Sequence, residues 1–268
     1  MKQIEELAMI LNQRGIKAEV RNIFKDGEEV EAIILGEESL KPVVYPAEMY
    51  PMTSEEMADV IIELMKEEHE IDTEILSDLA KLKNSLRLGI RPVRCDDVMT
   101  RPFLDLELYV YIKMENAAGN ILKGNYEKLG IPEDDLFEIA RLNSKKDISI
   151  VPMLEMMLKC APEDEKEEIM TAMMFEEDYL WVGTNTASLR GASVMAFTDI
   201  LDEFANEKNM DLLIIPSSVH EIIIGRYEDN MDINEMIRWT NNELVEKKDR
   251  LADHAYRYSR KSKLLTIE

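Results

Sequence analysis

The stretch Leu212-Leu-Ile-Ile-Pro-Ser-Ser-Val-His-Glu-Ile-Ile-Ile-Gly-Arg-Tyr227 decides the fold class of this chain. Two apolar runs of strand length, rich in β-branched residues, flank a short polar loop at residues 216–221. A parallel pair of strands needs a crossover of roughly a dozen or more residues. Strands joined by so short a loop therefore run antiparallel, and the stretch predicts a β-hairpin.

Short connections of the same kind recur through the C-terminal part of the chain. Hydrophobic periodicity predicts strands and helices in turn, with strands at 103–114, 120–124, 180–183, 191–197 and 255–259 and helices at 199–207 and 233–247. Because the strand-to-strand connections are too short for parallel crossovers, the predicted fold class is α+β, with a largely antiparallel sheet and segregated helices.

A smaller unit is predicted before this domain. Its first helix is amphipathic, and two strands follow around the turn dipeptide Asp26-Gly27. A third strand at 40–45 belongs at a sheet edge, because Pro42 has no amide hydrogen to donate to a central ladder. Two further helices follow, the second beginning at Asp72 and extending to Leu86.

The composition changes near residue 90, where Arg-Pro dipeptides interrupt regular structure. We therefore predict a domain boundary at about residue 95. Residues 1–95 form the helix, β-hairpin and two-helix unit, and residues 96–268 form the α+β domain. An acidic helical insertion is predicted near 145–178 within the second domain.

Charge excludes some classes of partner. The 268 residues include 55 Asp and Glu against 32 Lys and Arg, for a formal net charge of −23. Nucleic-acid binding relies on clustered Lys and Arg, so we expect no direct nucleic-acid binding. Anionic membranes would also repel the chain, no apolar run is long enough to cross a bilayer, and the N-terminus carries acids in place of a signal peptide. A cytoplasmic protein is predicted.

The sequence contains no motif that indicates a cofactor or a structural metal. Cys95 and Cys160 stand at no motif spacing, which argues against structural zinc and against a disulfide framework. The chain has neither a Walker loop nor a G-x-G-x-x-G motif, the two glycine-rich signatures of nucleotide binding. The prediction is that the protein uses no cofactor.

The polar loop of the hairpin supplies the first candidate site. Ser217, Ser218, His220 and Glu221 project from a tight connection between apolar strands, and loops on rigid strands are where binding groups gather. Ser218 and His220 are two residues apart, so an extended backbone would place a hydroxyl and a possible base on one face. No glycine-bearing nucleophile elbow accompanies them. The same side chains also suit an ordinary turn, so a structural role stays open.

Two other groups of polar residues are weaker candidates. Asn185 and Arg190 lie in a polar turn that we expect near the hairpin loop, where the planar Arg190 guanidinium could hold an anionic ligand. Asp105 and Glu107 are expected on one strand face and could bind a divalent cation if a third carboxylate joined them. The alternative for these acids is the ordinary protection of an edge strand against aggregation.

Several motifs along most of the chain point to a family. The most specific is the segment Leu213-Ile-Ile-Pro-Ser-Ser-Val-His-Glu221 with the tail Tyr256-Arg-Tyr258. The others are Arg101-Pro-Phe-Leu-Asp-Leu106, Leu129-Gly-Ile-Pro132, Thr184-Asn185 and Gly191-Ala192. In these segments the chain resembles an uncharacterised domain-of-unknown-function family of hypothetical cytosolic proteins from anaerobic gut bacteria, often encoded on mobile elements. The resemblance implies a bacterial, cytosolic setting and no known reaction.

The functional hypothesis is a non-enzymatic binding or regulatory protein whose partner is a protein or a small polar ligand. One variant within this class is an acidic mimic of nucleic acid, which requires carboxylates spaced like phosphates along one face. The alternative class is a hydrolase that uses Ser218 and His220, or a divalent metal at Asp105 and Glu107. The sequence leaves the oligomeric state open.

Overall fold

A computed structural model of the chain describes residues 2–25, 28–36, 43–66, 75, 78–114, 118–124, 126–173, 180–229 and 233–268. The chain divides into two units, the smaller comprising Met1–Ile71 with Arg94–Asp96 and the larger Asp72–Val93 with Asp97–Glu268. None of the described helices has the length and apolar character needed to cross a membrane. The domain boundary predicted at about residue 95 remains a prediction.

The smaller unit combines one antiparallel sheet with two α-helices in its described residues. Its elements are α1 (Gln3–Gln13), β1 (Ala18–Lys25), β2 (Glu28–Leu35), β3 (Val43–Val44), the 3-10 helix Pro46–Met49 and α2 (Ser54–Lys66). The strand order is β1-β2-β3, so β3 lies at the edge, while Asp26-Gly27 and residues 37–42 lie outside the described residues. The core forms where the apolar stripes of both helices meet the sheet, at Leu7, Leu11, Ile33, Leu35 and Met57.

In its described residues, the larger unit contains two sheets and the helices that follow α2. The first part runs α3 (Leu79–Ser85), β4 (Leu86–Pro92), β5 (Thr100–Phe103), β6 (Leu106–Lys113), β7 (Ala118–Asn120), the 3-10 helix Tyr126–Leu129 and α4 (Glu133–Asp147). The second part runs β8 (Ile148–Pro152), α5 (Met153–Cys160), α6 (Lys166–Met173), β9 (Leu180–Asn185), the 3-10 helix Gly191–Ala196, α7 (Thr198–Lys208), β10 (Leu212–Ile215), β11 (Ile222–Arg226), α8 (Asn234–Glu243), β12 (Tyr256–Ser259) and β13 (Leu264–Ile267).

All the strand pairs that the structure describes are antiparallel. The six-stranded sheet has the order β13-β12-β10-β11-β9-β8, and the four-stranded sheet has the order β4-β6-β5 with β7 also paired to β6. The hairpin that decided the fold class forms as predicted, with Ile214 opposite Ile224. The predicted α+β class is confirmed.

Apolar and polar side chains alternate along β4 and β6, which gives the four-stranded sheet one apolar and one polar face. Leu88 and Val110 are directly opposite each other and pack with α4 in a buried cluster. The other face pairs Arg87 with Tyr111, Gly89 with Tyr109 and Arg91 with Glu107. This second face positions the candidate site described below.

Two sequence predictions near this sheet were wrong. The helix begins at Leu79, capped by the Asp78 side chain, and Leu86 starts strand β4 where the sequence predicted a continuing helix. Asp72 lies outside the described residues. The predicted single strand over 103–114 is interrupted by a tight turn between β5 and β6, where Leu104 has φ +54°. Leucine is uncommon in tight turns, so Leu104 itself did not indicate the reversal.

Two further predictions need correction in the second part of the unit. Residues 191–197 were predicted as a strand, but Gly191–Ala196 is a buried 3-10 helix. A short apolar run that is buried on all sides has no periodicity that separates strand from helix. The acidic insertion begins with β8, an edge strand of the six-stranded sheet, before helices α5 and α6. Residues 174–179 lie outside the described residues.

Candidate functional site

The candidate loops converge because of the sheet topology. Strands β9 and β10 both run antiparallel to β11, so both end at the same edge of the six-stranded sheet. The loop at 216–221 follows β10, the turn at 186–190 follows β9, and β12 begins at this edge after the loop that carries Asp249. The structure therefore brings the predicted polar turn and hairpin loop together.

His220 joins all three loops. Its Nδ1 accepts a hydrogen bond from the backbone N–H of Arg190 at 3.0 Å, so Nδ1 carries no proton in this arrangement. Its Nε2 lies 3.3 Å from Oδ1 of Asp249, and its backbone carbonyl accepts the hydroxyl of Thr184 at 2.8 Å. The imidazole thus positions the backbone at Arg190. No local pattern links Asp249 to the hairpin, so the sequence did not predict it as a site residue.

The Ser218 side chain hydrogen-bonds to the backbone of its own loop. Its Oγ accepts the backbone N–H of His220 at 3.0 Å, and its N–H donates to the carbonyl of Glu221 at 3.2 Å. Ser217 is half-buried in the same loop. Both nitrogens of His220 face groups other than Ser218, so these contacts do not assemble the pair of nucleophile and base that a serine hydrolase needs.

We expect Ser218→Ala to lower the free energy of unfolding by about 1 kcal/mol, because the N–H of His220 loses its acceptor. Urea unfolding measures this change. Ser217→Ala is the matched control, since the described structure gives the Ser217 hydroxyl no hydrogen bond. A fluorophosphonate probe should leave the wild-type protein unlabelled, and labelling at Ser218 would contradict the structural role.

Asn185 shapes the turn that carries Arg190. Its Oδ1 accepts the backbone N–H groups of Ala187 at 3.0 Å and Leu189 at 3.3 Å, while its Nδ2 donates to the Leu189 carbonyl at 2.7 Å. Such side-chain bonds replace a backbone turn. Arg190 follows with φ +57°, a left-handed conformation that is uncommon for a residue with a side chain. Asn185 therefore acts on the backbone and helps hold Arg190 in place.

The Arg190 guanidinium lies against two tyrosines of the polar sheet face. Its Cζ is 4.8 Å from the ring centroid of Tyr111 and 5.8 Å from that of Tyr109. Nη1 donates to Oδ1 of Asn120 at 2.8 Å. Within the described residues, Arg190 forms no ion pair with a carboxylate. The sequence did not indicate that the two tyrosines and Asn120 are site residues.

The Tyr111 hydroxyl is a second polar group beside Arg190. Burial, followed by the neighbouring Tyr109, raises the pKa of Tyr111 to about 12, against the opposing effect of Arg190 and Arg87. The phenol therefore keeps its proton near neutral pH and can donate. In the described part of the chain no group hydrogen-bonds this hydroxyl. Arg87 forms an ion pair with Asp147 at 2.8 Å, so its charge on this face is already compensated.

Asp105 and Glu107 have separate partners. Asp105 lies in the β5–β6 turn, where it accepts the Tyr256 hydroxyl at 2.8 Å and has His254 Nε2 at 3.2 Å. Glu107 forms a buried salt bridge with Arg91 at 2.7 Å. Burial and the hydrogen bond to Asp105 raise the pKa of Tyr256. Among the residues that the structure describes, no group of three or more His, Cys, Asp or Glu is placed to hold a metal ion.

These elements define an α+β protein whose candidate site is a loop-borne arginine held on a tyrosine-lined sheet face. The chain belongs to DUF5688, a family of unknown function, whose model matches residues 1–260. This confirms the predicted membership of a domain-of-unknown-function family. Comparisons with curated proteins and with solved structures gave no match.

Proposed function

We propose that this protein is a non-enzymatic binding protein that takes a small polar ligand through an oxyanion, a carboxylate or a phosphate, at Arg190. One observation carries the proposal. Arg190 is half-buried and, within the described residues of a chain with 55 acids, has no carboxylate partner. Burying a charge without a counter-charge is costly, so an anionic ligand would relieve the cost.

The geometry around Arg190 suits an oxyanion. Stacking on Tyr111 restricts the guanidinium plane, and only Nη1 is used in the bond to Asn120. The remaining N–H groups are available for a bidentate contact, which arginine makes with carboxylates and phosphates. The protonated Tyr111 hydroxyl, on the ring that the Arg190 guanidinium contacts, would supply another donor to the same ligand.

Local charge supports the proposal in spite of the net charge of the chain. The neighbouring arginines of this face are already paired, Arg87 with Asp147 and Arg91 with Glu107. Arg190 therefore leaves the face with an excess positive charge within a strongly acidic protein. Because salt screens weak attraction of this kind, we expect ligand affinity to fall as ionic strength rises.

The hydrolase alternative has less support. The His220 nitrogens face Arg190 and Asp249, and Asp105 and Glu107 are engaged by Tyr256 and Arg91. A regulatory role would follow if ligand binding altered contacts with a partner protein. The bacterial cytoplasmic setting is part of this proposal, and its bacterial part derives from the resemblance alone.

We expect benzoate and phenyl phosphate to shift NMR signals of the protein near Arg190, whereas the neutral benzamide does not. Arg190→Gln should weaken binding at least about tenfold, since a charge-assisted hydrogen bond contributes roughly 1.5–3 kcal/mol. Arg190→Lys keeps the charge and the backbone constraint but loses the planar fork, so it should rescue binding only in part. Tyr111→Phe should weaken binding several-fold, because it removes only the hydroxyl donor.

Arg226→Gln is the matched control, since Arg226 is exposed on β11 and its loss changes the net charge equally. The proposal fails if Arg226→Gln weakens benzoate binding as much as Arg190→Gln does, or if benzamide binds as well as benzoate. Circular dichroism of each variant verifies that it remains folded.

A further inference from the structure

Helix α8 carries an exposed apolar stripe that the ligand site does not use. Met236 is 54% exposed and Trp239 60%. Met236 and Trp239 are three residues apart and so lie side by side on the helix surface. Tryptophan and methionine are enriched where proteins contact one another, and tryptophan is among the commonest binding hot spots.

The helix itself is firmly attached, so its exposed face is a fixed surface. Ile237 is buried against Leu213 of β10 and against Ala255, the residue before β12. Asn241 is also buried and donates to the Ala252 carbonyl at 2.9 Å and to Asp253 at 2.7 Å. The buried and exposed faces are thus distinct, and packing of the first does not require the second.

Acidic residues surround the stripe. Glu228 and Asp229 are exposed just before the helix, and Glu235 and Glu243 are exposed on it. Arg238 is the single basic residue in the sequence of α8. This local excess of acids has the same sign as the whole chain, whose net charge is −23. Such a field speeds the approach of positively charged partners and opposes acidic ones.

We propose that α8 is a docking surface for a basic amphipathic helix of a partner protein. The apolar side of that helix would cover Met236 and Trp239, and its Lys or Arg residues would face Glu235 and Glu243. This mode matches helix recognition by apolar anchors one helical turn apart. The inference is independent of the oxyanion site at Arg190, because it uses a different element and different chemistry.

Trp239 provides an internal probe of this surface. The chain has two tryptophans, and the other, Trp181, is only 6% exposed. The test ligand is a synthetic amphipathic peptide of leucine and lysine, about 18 residues long, sufficient for several helical turns. Adding this peptide should shift tryptophan emission to shorter wavelength and protect it from acrylamide quenching. A peptide with glutamate in place of every lysine should cause neither change.

Charge reversal separates specific docking from general attraction to an acidic protein. Glu235→Lys with Glu243→Lys should weaken binding of the leucine–lysine peptide at least tenfold. The matched control, Glu167→Lys with Glu168→Lys on α6, changes the net charge equally and should weaken binding no more than about twofold through the long-range field. Equal effects of the two double variants would overturn the proposal. So would binding of the glutamate peptide, or self-association of the protein through Trp239 in sedimentation equilibrium.

Discussion

Replacing Gly191 with alanine should destabilise the protein by about 3 kcal/mol, the upper part of the usual range for overpacking a dense region. A Cβ at this position would lie 2.6 Å from the backbone nitrogen of Asn185 and 2.7 Å from the backbone oxygen of His220, and would also meet the Thr184 hydroxyl. Backbone atoms cannot rotate away as a side-chain end can, so the turn and the hairpin loop must separate. Urea unfolding measures the loss.

The same substitution should weaken benzoate binding, because Arg190 immediately precedes Gly191 and its N–H donates to His220. Gly124→Ala is the matched control: a Cβ there meets no atom within 4 Å, and the substitution should be close to neutral. If both glycine variants have the same stability, the two loops are not in the close contact described above. A stable Gly191→Ala variant with unchanged benzoate affinity would also contradict the role of this junction.

Phe197→Ala should lower the free energy of unfolding by about 3–5 kcal/mol, the range for deleting a large buried aromatic ring. Phe197 is 0% exposed, ends the 3-10 helix Gly191–Ala196 and begins helix α7. Its ring packs in the apolar cluster that includes Leu136. Removal of the ring would leave a cavity that the surrounding helices and sheet cannot close fully. Differential scanning calorimetry and urea unfolding both report the change.

Phe197→Leu is the conservative control and should cost less than about 1.5 kcal/mol, since much of the apolar volume is kept. A large difference between the two variants identifies packing as the cause. Equal effects would instead indicate that the ring itself is needed, through its contact with the Arg141 guanidinium 5.6 Å away. A Phe197→Ala variant as stable as the wild type would contradict the burial of this segment.

The polar hairpin loop has a different role from the one its composition suggested. Three polar side chains hydrogen-bond to backbone groups of their own or neighbouring loops, namely those of Ser218, His220 and Asn185. Polar side chains in tight loops often do this, because buried backbone groups need partners. The consequence is a rigid junction that presents Arg190, whose guanidinium has further N–H donors besides the one bonded to Asn120.

The fold class could be predicted from the sequence because it depends on local features. The hairpin at 212–226 is specified by two apolar runs and the length of the loop between them, and both are visible in the chain. The ends of helices and strands could not be predicted where they depend on residues far away in the sequence. Strand β4 exists because Leu86 pairs with Ile112, and the turn at Leu104 exists because β5 folds back on β6.

For the site, the sequence by itself determined which chemical groups are available and that two polar loops follow neighbouring strands. Only the tertiary structure decided their partners. His220 meets Arg190 and Asp249, while Arg190 meets Tyr111 and Asn120, each from a separate segment of the chain. Hydrogen bonds and ring contacts act over a few ångströms, so side chains far apart in sequence interact only after the sheets have positioned them.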